Sequence, residues 1–353
     1  MTFETRKSVI YVTHLTRVAF CGCWPIIFVF KMTHKIAVLS TIPRLSYHLR
    51  SQLPSLNITD ISPDQNDTLS KLNTADILLA DCDLLIPYAE QLSSVKWVQS
   101  TWAGVEKLTS NIQNKNLNFT LTRFSDKSFG YAMSEYVIAQ IVNYERDQRM
   151  QYENQKNSLW IQDGKISNHR LISDMTVGIL GLGNIGKSIA QRLKVFGAIV
   201  WGMTRSPLKE KLDYLDEHRT VEFLPDLLKN CDYIINVLPT TNNTVGLLNG
   251  EMLKSCEDKK AVFMNIGRGT IIKEIDLLNA LENKWISGAI LDVCEKEPLP
   301  KESKLWNLPQ VTISPHISGV TRGQDVARFF AENYKKFVAG QSLLNTFDWR
   351  EGY

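Results

Sequence analysis

Residues 176–186 read TVGILGLGNIG, the most informative segment of the chain for the fold. The apolar run from Thr176 to Leu180 has the length and composition of a buried strand. Three glycines follow it, and we expect a helix to begin among them with an apolar side formed by Ile185, Ile189, Leu193 and Phe196. The sequence therefore predicts a strand, a tight turn and a helix in immediate succession.

The glycine spacing, G-x-G-x-x-G, is typical of a dinucleotide-binding turn when it lies between a strand and a helix. Gly181 permits the tight turn, Gly183 lets the backbone approach a pyrophosphate, and Gly186 allows the helix to pack closely on the sheet. The first N–H groups of the helix, near Asn184 and Ile185, can donate to phosphate oxygens. We predict that these five residues bind a dinucleotide coenzyme.

The end of the next strand carries the group that meets the adenosine ribose of such a coenzyme. Thr204, Arg205 and Ser206 lie there, where an NAD enzyme would have a carboxylate. A guanidinium can bind a 2′-phosphate with two hydrogen bonds, whereas a carboxylate would repel it. We therefore predict a preference for NADP(H), with NAD as the alternative coenzyme. The competing interpretation is that Arg205 is an ordinary surface arginine.

Short apolar runs alternate with helical periods along the chain, which is the pattern of an α/β protein with parallel sheets. The first series comprises KIAVLS, ADILLA, VKWVQS and LNFTLT. The second and larger series comprises TVGIL, AIVWGM, YIINV, AVFMNI, ISGAILDV and VTIS. We expect two domains: a Rossmann-type doubly wound parallel sheet and a smaller flavodoxin-like substrate domain.

The expected domain boundaries follow from this order. We assign residues 126–319 to the dinucleotide-binding domain, with the polar stretch 151–169 as a connector or arm. Residues 34–125 and 320–353 together form the discontinuous substrate domain, because a final helix follows the larger sheet and is expected to return to the first domain.

Residues 1–33 are predicted to be an extension that is either unstructured or a targeting segment. Their apolar run, 18–30, is interrupted by Pro25 and is shorter than the roughly 18 residues that span a bilayer. We therefore expect no membrane segment. A cytoplasmic location is expected, and a mitochondrial one is the alternative if the extension is a presequence.

The overall composition narrows the classes of partner. A net charge of +3, with acidic and basic residues interspersed, leaves no basic stripe for the phosphates of a nucleic acid. The six cysteines are scattered and have no metal-ligand spacing, so we expect reduced thiols and no metal.

Three ionisable residues follow successive strands of the larger series: Arg268 after AVFMNI, Glu297 after ISGAILDV and His316 after VTIS. The carboxyl ends of parallel strands form the ligand-binding edge of such a sheet. Reduction of a carbonyl group by a nicotinamide coenzyme needs a proton donor for the nascent alkoxide, and histidine, which titrates near neutral pH, is the usual one. We predict His316 as the acid/base and Glu297 as the carboxylate that orients it. Arg268 would bind the substrate through two N–H groups, which a lysine could not do.

Each of these residues has a simpler interpretation alone: a core histidine, a turn-capping glutamate and an arginine that braces a loop. Their shared position at the edge of a dinucleotide-binding sheet favours the catalytic interpretation. A serine hydrolase is disfavoured because the chain contains no G-x-S-x-G elbow.

The motifs GLGNIG, NIGRG, LDVCEKEPLP and SPHISG, taken in this order, resemble the D-isomer-specific 2-hydroxyacid dehydrogenase family. The resemblance extends from about residue 35 to the end of the chain. It implies that Arg268, Glu297 and His316 are the catalytic set and that Asp292 binds the nicotinamide amide. It also implies a coenzyme-flanking turn at Leu238, Pro239 and Thr244, and a substrate-carboxylate loop at Trp102, Ala103 and Gly104.

Further stretches resemble the glyoxylate/hydroxypyruvate reductase A branch of that family. They are MSEYVIAQ, the NSLW that ends at Trp160, TRS at 204–206, VTR at 320–322 and the terminal GY. This resemblance implies NADPH as coenzyme and a homodimer in which the segment around Trp160 reaches the partner. Ser314 and Ser318 depart from the pattern, since threonine and alanine are common at these positions.

Two other functions stay open on the sequence. One is a dinucleotide-sensing corepressor that binds the coenzyme without turnover, against which Arg205 argues because such a sensor would bind NADH. The other is a different D-2-hydroxyacid dehydrogenase, such as a D-lactate dehydrogenase. The sequence does not rank the small 2-oxo acids as substrates.

Overall fold

The computed structural model describes residues 34–63, 65–114 and 117–350. The predicted extension, residues 1–33, and the terminal residues 351–353 lie outside the described residues. Within the described ranges no helix is long and apolar enough to cross a bilayer. In the same ranges Cys82, Cys231, Cys256 and Cys294 are free thiols.

The first sheet has five parallel strands in the order β2-β1-β3-β4-β5, which is the flavodoxin-like order. Its strands are β1 (Lys35–Leu39), β2 (Asn57–Asp60), β3 (Ile77–Ala80), β4 (Trp97–Ser100) and β5 (Thr120–Thr122). The helices between them are α1 (Leu45–Gln52), α2 (Thr68–Leu72), α3 (Cys82–Leu85) and α4 (Glu106–Asn111). Two helices follow β5, namely α5 (Lys127–Glu145) and the shorter α6 (Gln148–Lys156), and α5 packs on the second sheet.

The second sheet has seven parallel strands in the order β12-β11-β10-β9-β6-β7-β8. Its strands are β6 (Thr176–Leu180), β7 (Ile199–Thr204), β8 (Glu217–Thr220), β9 (Tyr233–Asn236), β10 (Val262–Asn265), β11 (Gly288–Leu291) and β12 (Val311–Ile313). The helices are α7 (Asn184–Val195), α8 (Leu224–Asn230), α9 (Glu274–Glu282) and, after the sheet, α10 (Gly323–Val338). The sheet runs outward in both directions from β6, so the predicted doubly wound fold is confirmed.

The strand register brings the carboxyl ends of the second sheet to one edge. Leu180 of β6 pairs with Met203 of β7 on one side and with Asn236 of β9 on the other. Order reverses at β6, and a crevice forms outside the carboxyl ends of the strands at such a point. Gly181 therefore lies at the mouth of this crevice.

Apolar clusters cover both faces of each sheet. On the second sheet, α8 and α9 cover one face and α5 and α7 cover the other. On the first sheet, α10 packs with β1 and β4, where the buried rings of Trp97 and Phe330 stack at 4.9 Å between centroids. The chain after α10 stays with this sheet, because Phe347 joins its other cluster.

Two strands were missed by the hydrophobic pattern. β2 reads NITD and β8 reads EHRT, and each is the outermost strand at one end of its sheet. An edge strand pairs on one side only and is less buried, so it needs no continuous apolar run. Among the four residues of β2 only Ile58 is buried.

One predicted helix face was also wrong in part. Ile189 and Leu193 of α7 are buried as expected, but the helix ends at Val195 and Phe196 is 52% exposed. Phe196 is the C-cap residue, and Gly197 follows it with φ 87°, so the buried side of α7 ends before Phe196.

Candidate active site

The glycine turn has the geometry that the spacing predicts. Gly181 has φ 106°, which residues with a side chain rarely adopt. A Cβ on Gly186 would lie 1.9 Å from the Gly181 carbonyl oxygen, so the helix can approach the turn this closely only without a side chain. A Cβ on Gly183 would meet nothing within 4 Å, because Gly183 faces open space.

A cavity of about 750 Å³ lies in front of this turn. Such a volume is within the range of small-molecule and coenzyme sites. The second sheet contributes the turn and the strand ends, namely Gly181, Leu182, Gly183, Asn184, Ile185, Gly186, Met203, Thr204, Arg205, Val221, Val237, Leu238, Pro239, Thr241, Asn243, Thr244, Leu247, Ile266, Gly267 and Arg268. The first sheet and the chain segments packed on it contribute Ala103, Arg123, Ser125 and Asn345.

The residues predicted for the coenzyme fall into two groups. Those that line the cavity are Gly181, Gly183, Asn184, Ile185, Gly186, Thr204, Arg205, Leu238, Pro239 and Thr244. Ser206 and Asp292 do not line it. Of the residues predicted for the substrate, Ala103 and Arg268 line the cavity, whereas Trp102 and Gly104 do not.

The glycine turn, the N-terminus of α7 and the open space at Gly183 fit a bound pyrophosphate.

Hydrogen bonds order the end of β7, where the adenosine ribose was predicted to bind. The Thr204 hydroxyl donates to the Ser206 carbonyl oxygen at 2.6 Å. The Nε2 atom of His218 lies 2.7 Å from the same hydroxyl oxygen, and must donate to it because the hydroxyl proton is already used. His218 on β8 therefore supports the Thr204–Ser206 turn through its side chain.

His316 and Glu297 contact each other as predicted. The Nδ1 atom of His316 lies 2.8 Å from Oε2 of Glu297. Both side chains are partly exposed, and neither lines the cavity in front of the glycine turn. This contact holds one imidazole nitrogen and leaves Nε2 as the one that can exchange a proton with a ligand.

The backbone of His316 is held in an uncommon conformation. Its φ is 56°, in the left-handed region that residues other than glycine and asparagine seldom adopt. The N–H of His316 donates to the Asp292 carbonyl oxygen at 2.9 Å, and the N–H groups of Ile317 and Ser318 donate to the Asp292 carboxylate at 2.9 Å each. The buried Asp292 therefore fixes the loop that carries the imidazole.

A chain of hydroxyl groups extends this network to α5. The Ser314 hydroxyl donates to the Asp292 carboxylate at 2.6 Å, and the Tyr136 hydroxyl lies 2.6 Å from Ser314 Oγ. Burial raises the pKa of the Tyr136 phenol, so the phenol is protonated at neutral pH and donates to Ser314. The structure thus shows Asp292 supporting the His316 loop. The resemblance also implies that Asp292 binds the nicotinamide amide, and this second function stays a prediction.

Two buried asparagines shape the turn that carries Arg268. Asn236 Nδ2 donates to Asn265 Oδ1 at 2.8 Å, and Asn265 Nδ2 donates to the Arg268 carbonyl oxygen at 3.1 Å. These amides lie at the carboxyl ends of β9 and β10. They hold the backbone from which the guanidinium enters the cavity.

The Arg268 side chain forms a two-bond ion pair with Glu106. Nε lies 3.0 Å from Oε1 and Nη2 lies 3.2 Å from Oε2, while Nη1 donates to the Gly267 carbonyl oxygen at 2.7 Å. Burial alone would raise the pKa of the Glu106 carboxyl, but the charge and hydrogen bonds of Arg268 outweigh it and lower that pKa. Glu106 is therefore ionised at neutral pH.

The sequence interpretation did not find four of the residues that shape this site: Glu106, Arg123, Ser125 and Asn345. Arg123 and Ser125 follow β5, so the rule that ligands bind at strand ends could have indicated them if it had been applied to the first sheet. Glu106 follows the predicted substrate loop directly, but no pattern pairs it with a residue 162 positions later. Asn345 lies after α10, and only the folded chain brings it to Asn184, 3.3 Å away.

A comparison with known families identifies the larger sheet. Residues 138–318, just over half of the chain, match the family model described as D-isomer specific 2-hydroxyacid dehydrogenase, NAD binding domain. The chain belongs to the D-isomer specific 2-hydroxyacid dehydrogenase family. It is therefore an NAD(P)-dependent oxidoreductase that acts on the carbon bearing the 2-hydroxy or 2-oxo group of an acid.

Solved structures of family members share the fold over most of their length. A D-isomer specific 2-hydroxyacid dehydrogenase family protein from Aeromonas salmonicida is 32% identical, with a TM-score of 0.77 over 90% of this chain and 99% of that chain. A D-isomer specific 2-hydroxyacid dehydrogenase from Xanthobacter autotrophicus, in complex with NADPH and MES, is 26% identical, with a TM-score of 0.78 over 91% and 100% of the two chains. The NADPH-dependent glyoxylate/hydroxypyruvate reductase from Sinorhizobium meliloti, in complex with NADP and sulfate, is 27% identical, with a TM-score of 0.77 over 91% and 100%.

Within the described ranges the dehydrogenase has no group of three or more histidine, cysteine, aspartate or glutamate side chains that could hold a metal ion.

Two glycine substitutions separate packing from coenzyme binding. Gly186→Ala places a Cβ against the Gly181 carbonyl and should lower the thermal midpoint by several degrees, since overpacking costs about 1–3 kcal/mol. Gly183→Ala meets no protein atom and should keep the wild-type midpoint, yet weaken NADPH binding by about tenfold or more because the pyrophosphate approaches there. Thermal unfolding and NADPH fluorescence titration measure the two effects. Wild-type NADPH affinity in Gly183→Ala would show that the coenzyme binds elsewhere.

Proposed function

We propose that this dehydrogenase reduces a small 2-oxo acid of the glyoxylate/hydroxypyruvate class to the 2-hydroxy acid with NADPH. The observation that carries the proposal is that Arg268 lines one cavity together with the glycine turn and with Ala103 of the predicted substrate loop. The similarity to the Sinorhizobium meliloti reductase supports the same substrate class. In this proposal residues 34–125 and 320–353 hold the substrate, and residues 126–319 hold the coenzyme.

Arg268 orients the substrate and stabilises developing charge. A guanidinium has five N–H groups, of which Glu106 accepts two and the Gly267 carbonyl oxygen accepts one. One N–H is left on each terminal nitrogen, which suits one carboxylate oxygen and the carbonyl oxygen of a 2-oxo acid. As the carbonyl oxygen becomes an alkoxide, its hydrogen bond to the guanidinium strengthens.

His316 supplies the proton. The Glu297 carboxylate accepts from Nδ1, which fixes the orientation of the imidazole and leaves Nε2 to pass its proton to the alkoxide. The reduced nicotinamide, when bound, supplies the hydride. In the reverse direction the neutral imidazole takes the hydroxyl proton of the 2-hydroxy acid.

Arg205 is proposed to select NADPH. It lines the cavity at the end of β7 beside Thr204, and the turn there is held by His218. The relatives crystallised with NADPH or NADP support this preference.

Two further contacts are part of the proposal. Asp292 holds the His316 loop and also accepts a hydrogen bond from the nicotinamide amide. The substrate carboxylate accepts hydrogen bonds from the backbone N–H groups of Ala103 and Gly104, beside Trp102.

Replacement of His316 tests the acid/base. His316→Asn removes the proton donor but tolerates the left-handed backbone, so kcat for glyoxylate reduction should fall by about 10²- to 10⁴-fold while NADPH affinity stays within about twofold. Lys284→Asn is the matched control, because Lys284 is exposed and has φ 58°. If the wild type bound NADPH but turned over no 2-oxo acid, the protein would be a coenzyme-binding protein and not a reductase.

Coenzyme selectivity is tested at Arg205. Arg205→Gln should lower the ratio of kcat/KM for NADPH to kcat/KM for NADH by about tenfold or more, since the 2′-phosphate loses a charged hydrogen-bond donor. The exposed Lys209, on the same loop, provides the control Lys209→Gln. A wild-type preference for NADH, or an unchanged ratio in Arg205→Gln, would contradict the assignment.

We also propose that the dehydrogenase is a homodimer in which the segment around Trp160 reaches the partner. Trp160 is 92% exposed and its neighbours Leu159 and Ile161 are 51% and 40% exposed. Three consecutive exposed apolar side chains are typical of a surface that a partner covers.

The molar mass, measured by light scattering after size-exclusion chromatography, tests whether the protein is a dimer. The wild type should have twice the chain mass, and Trp160→Ser should shift the population to the monomer by removing an aromatic anchor. Tyr47→Ser, which replaces a 61% exposed ring on α1, should remain dimeric. A monomeric wild type, or a Trp160→Ser variant as dimeric as the wild type, would refute this arrangement.

A further inference from the structure

Glu106 connects the two sheets at the site. It is the first residue of α4 and follows the loop that contains Ala103 and Gly104. Its carboxylate bonds to Arg268, which follows β10 of the second sheet. Less than a third of either side chain is exposed, at 30% for Glu106 and 28% for Arg268. The pair is therefore partly shielded from water, and a bidentate charged contact there has more effect than at the surface.

The contact determines which edge of the guanidinium is available. Nε and Nη2 form one side edge of the planar group, and Glu106 occupies that edge. The carbonyl oxygen of Gly267 uses one N–H of Nη1. The N–H groups left over are one on Nη1 and one on Nη2, the two nitrogens of the terminal edge. A carboxylate on the side edge thus leaves the two terminal nitrogens of Arg268 for a ligand.

The same contact places the guanidinium against the predicted substrate loop. A Cβ on Gly104 would lie 2.0 Å from Nη2 of Arg268 and 2.7 Å from Oε2 of Glu106. The planar group therefore lies against the backbone of Gly104, with no room for a side chain between them. Loop, glutamate and arginine form one packed unit.

We infer that Glu106 is a positioning residue that holds the terminal edge of the Arg268 guanidinium toward the two oxygens of the 2-oxo acid. This inference rests on the proposed function and adds a residue to it. Glu106 does not touch the substrate; it acts through Arg268. Without its charge the guanidinium is free to turn about its side-chain bonds and to bind the substrate in unproductive orientations.

Kinetics of two variants test the inference. Glu106→Gln keeps the size of the side chain but turns an N–H₂ group or a neutral oxygen toward the arginine. It should lower kcat/KM for glyoxylate by about 10- to 100-fold, mostly through kcat, because misplacement by an ångström has that effect. Glu106→Asp keeps the charge and should be several-fold more active than Glu106→Gln. NADPH affinity should match the wild type in both variants.

The controls distinguish positioning from a merely structural function. Glu282→Gln removes an exposed carboxylate at the end of α9 and should stay within twofold of the wild type. In an Arg268→Ala background, the added Glu106→Gln change should alter kcat/KM by less than twofold, because the group through which it acts is gone. Equal activity of Glu106→Gln and wild type, no advantage of Glu106→Asp over Glu106→Gln, or full additivity with Arg268→Ala would each overturn the inference.

Failure of the proposed function gives a different result. In that case the wild type itself turns over no 2-oxo acid, and the same variants are compared by calorimetric titration with oxalate in the presence of NADP. Weaker oxalate binding in Glu106→Gln, restored in part by Glu106→Asp, supports the positioning of Arg268 independently of turnover. Equal oxalate binding in wild type and Glu106→Gln overturns it.

Discussion

The ion pair between Arg268 and Glu106 joins the strand ends of one sheet to the loop of the other, and the geometry of the site depends on it. Neither sheet alone presents a guanidinium with one edge occupied and one edge available.

The other half of the site shows how the fold maintains a strained residue. His316 adopts a left-handed backbone that costs of order 1–3 kcal/mol and persists only where its surroundings fix it. Asp292 accepts hydrogen bonds from three successive backbone N–H groups of this loop and from Ser314, which Tyr136 supports in turn. The residues that support the imidazole thus lie just after β11, just after β12 and on α5, and of these only Ser314 is near His316 in the chain.

Periodicity and strand-end position were sufficient to predict the doubly wound sheet, the glycine turn and the contact between His316 and Glu297. These features depend on local patterns or on a topological rule that holds for all such sheets. The polar edge strands β2 and β8 were missed because they are only half paired, and Phe196 was placed wrongly because the helix ended earlier than its apolar spacing suggested. Glu106 and Asn345 could not be predicted, since each acquires its partner only when distant segments pack together.

A crystal structure of the dehydrogenase with NADP and oxalate, an unreactive acid with two adjacent carboxylates, would show directly how Arg268 and Glu106 bind an acid. We expect two oxalate oxygens within hydrogen-bond distance of Nη1 and Nη2 of Arg268, one of them also near Nε2 of His316, with Glu106 still on the side edge of the guanidinium. Oxalate bound to a different cation, or an Arg268 that leaves Glu106 to reach it, would contradict the account.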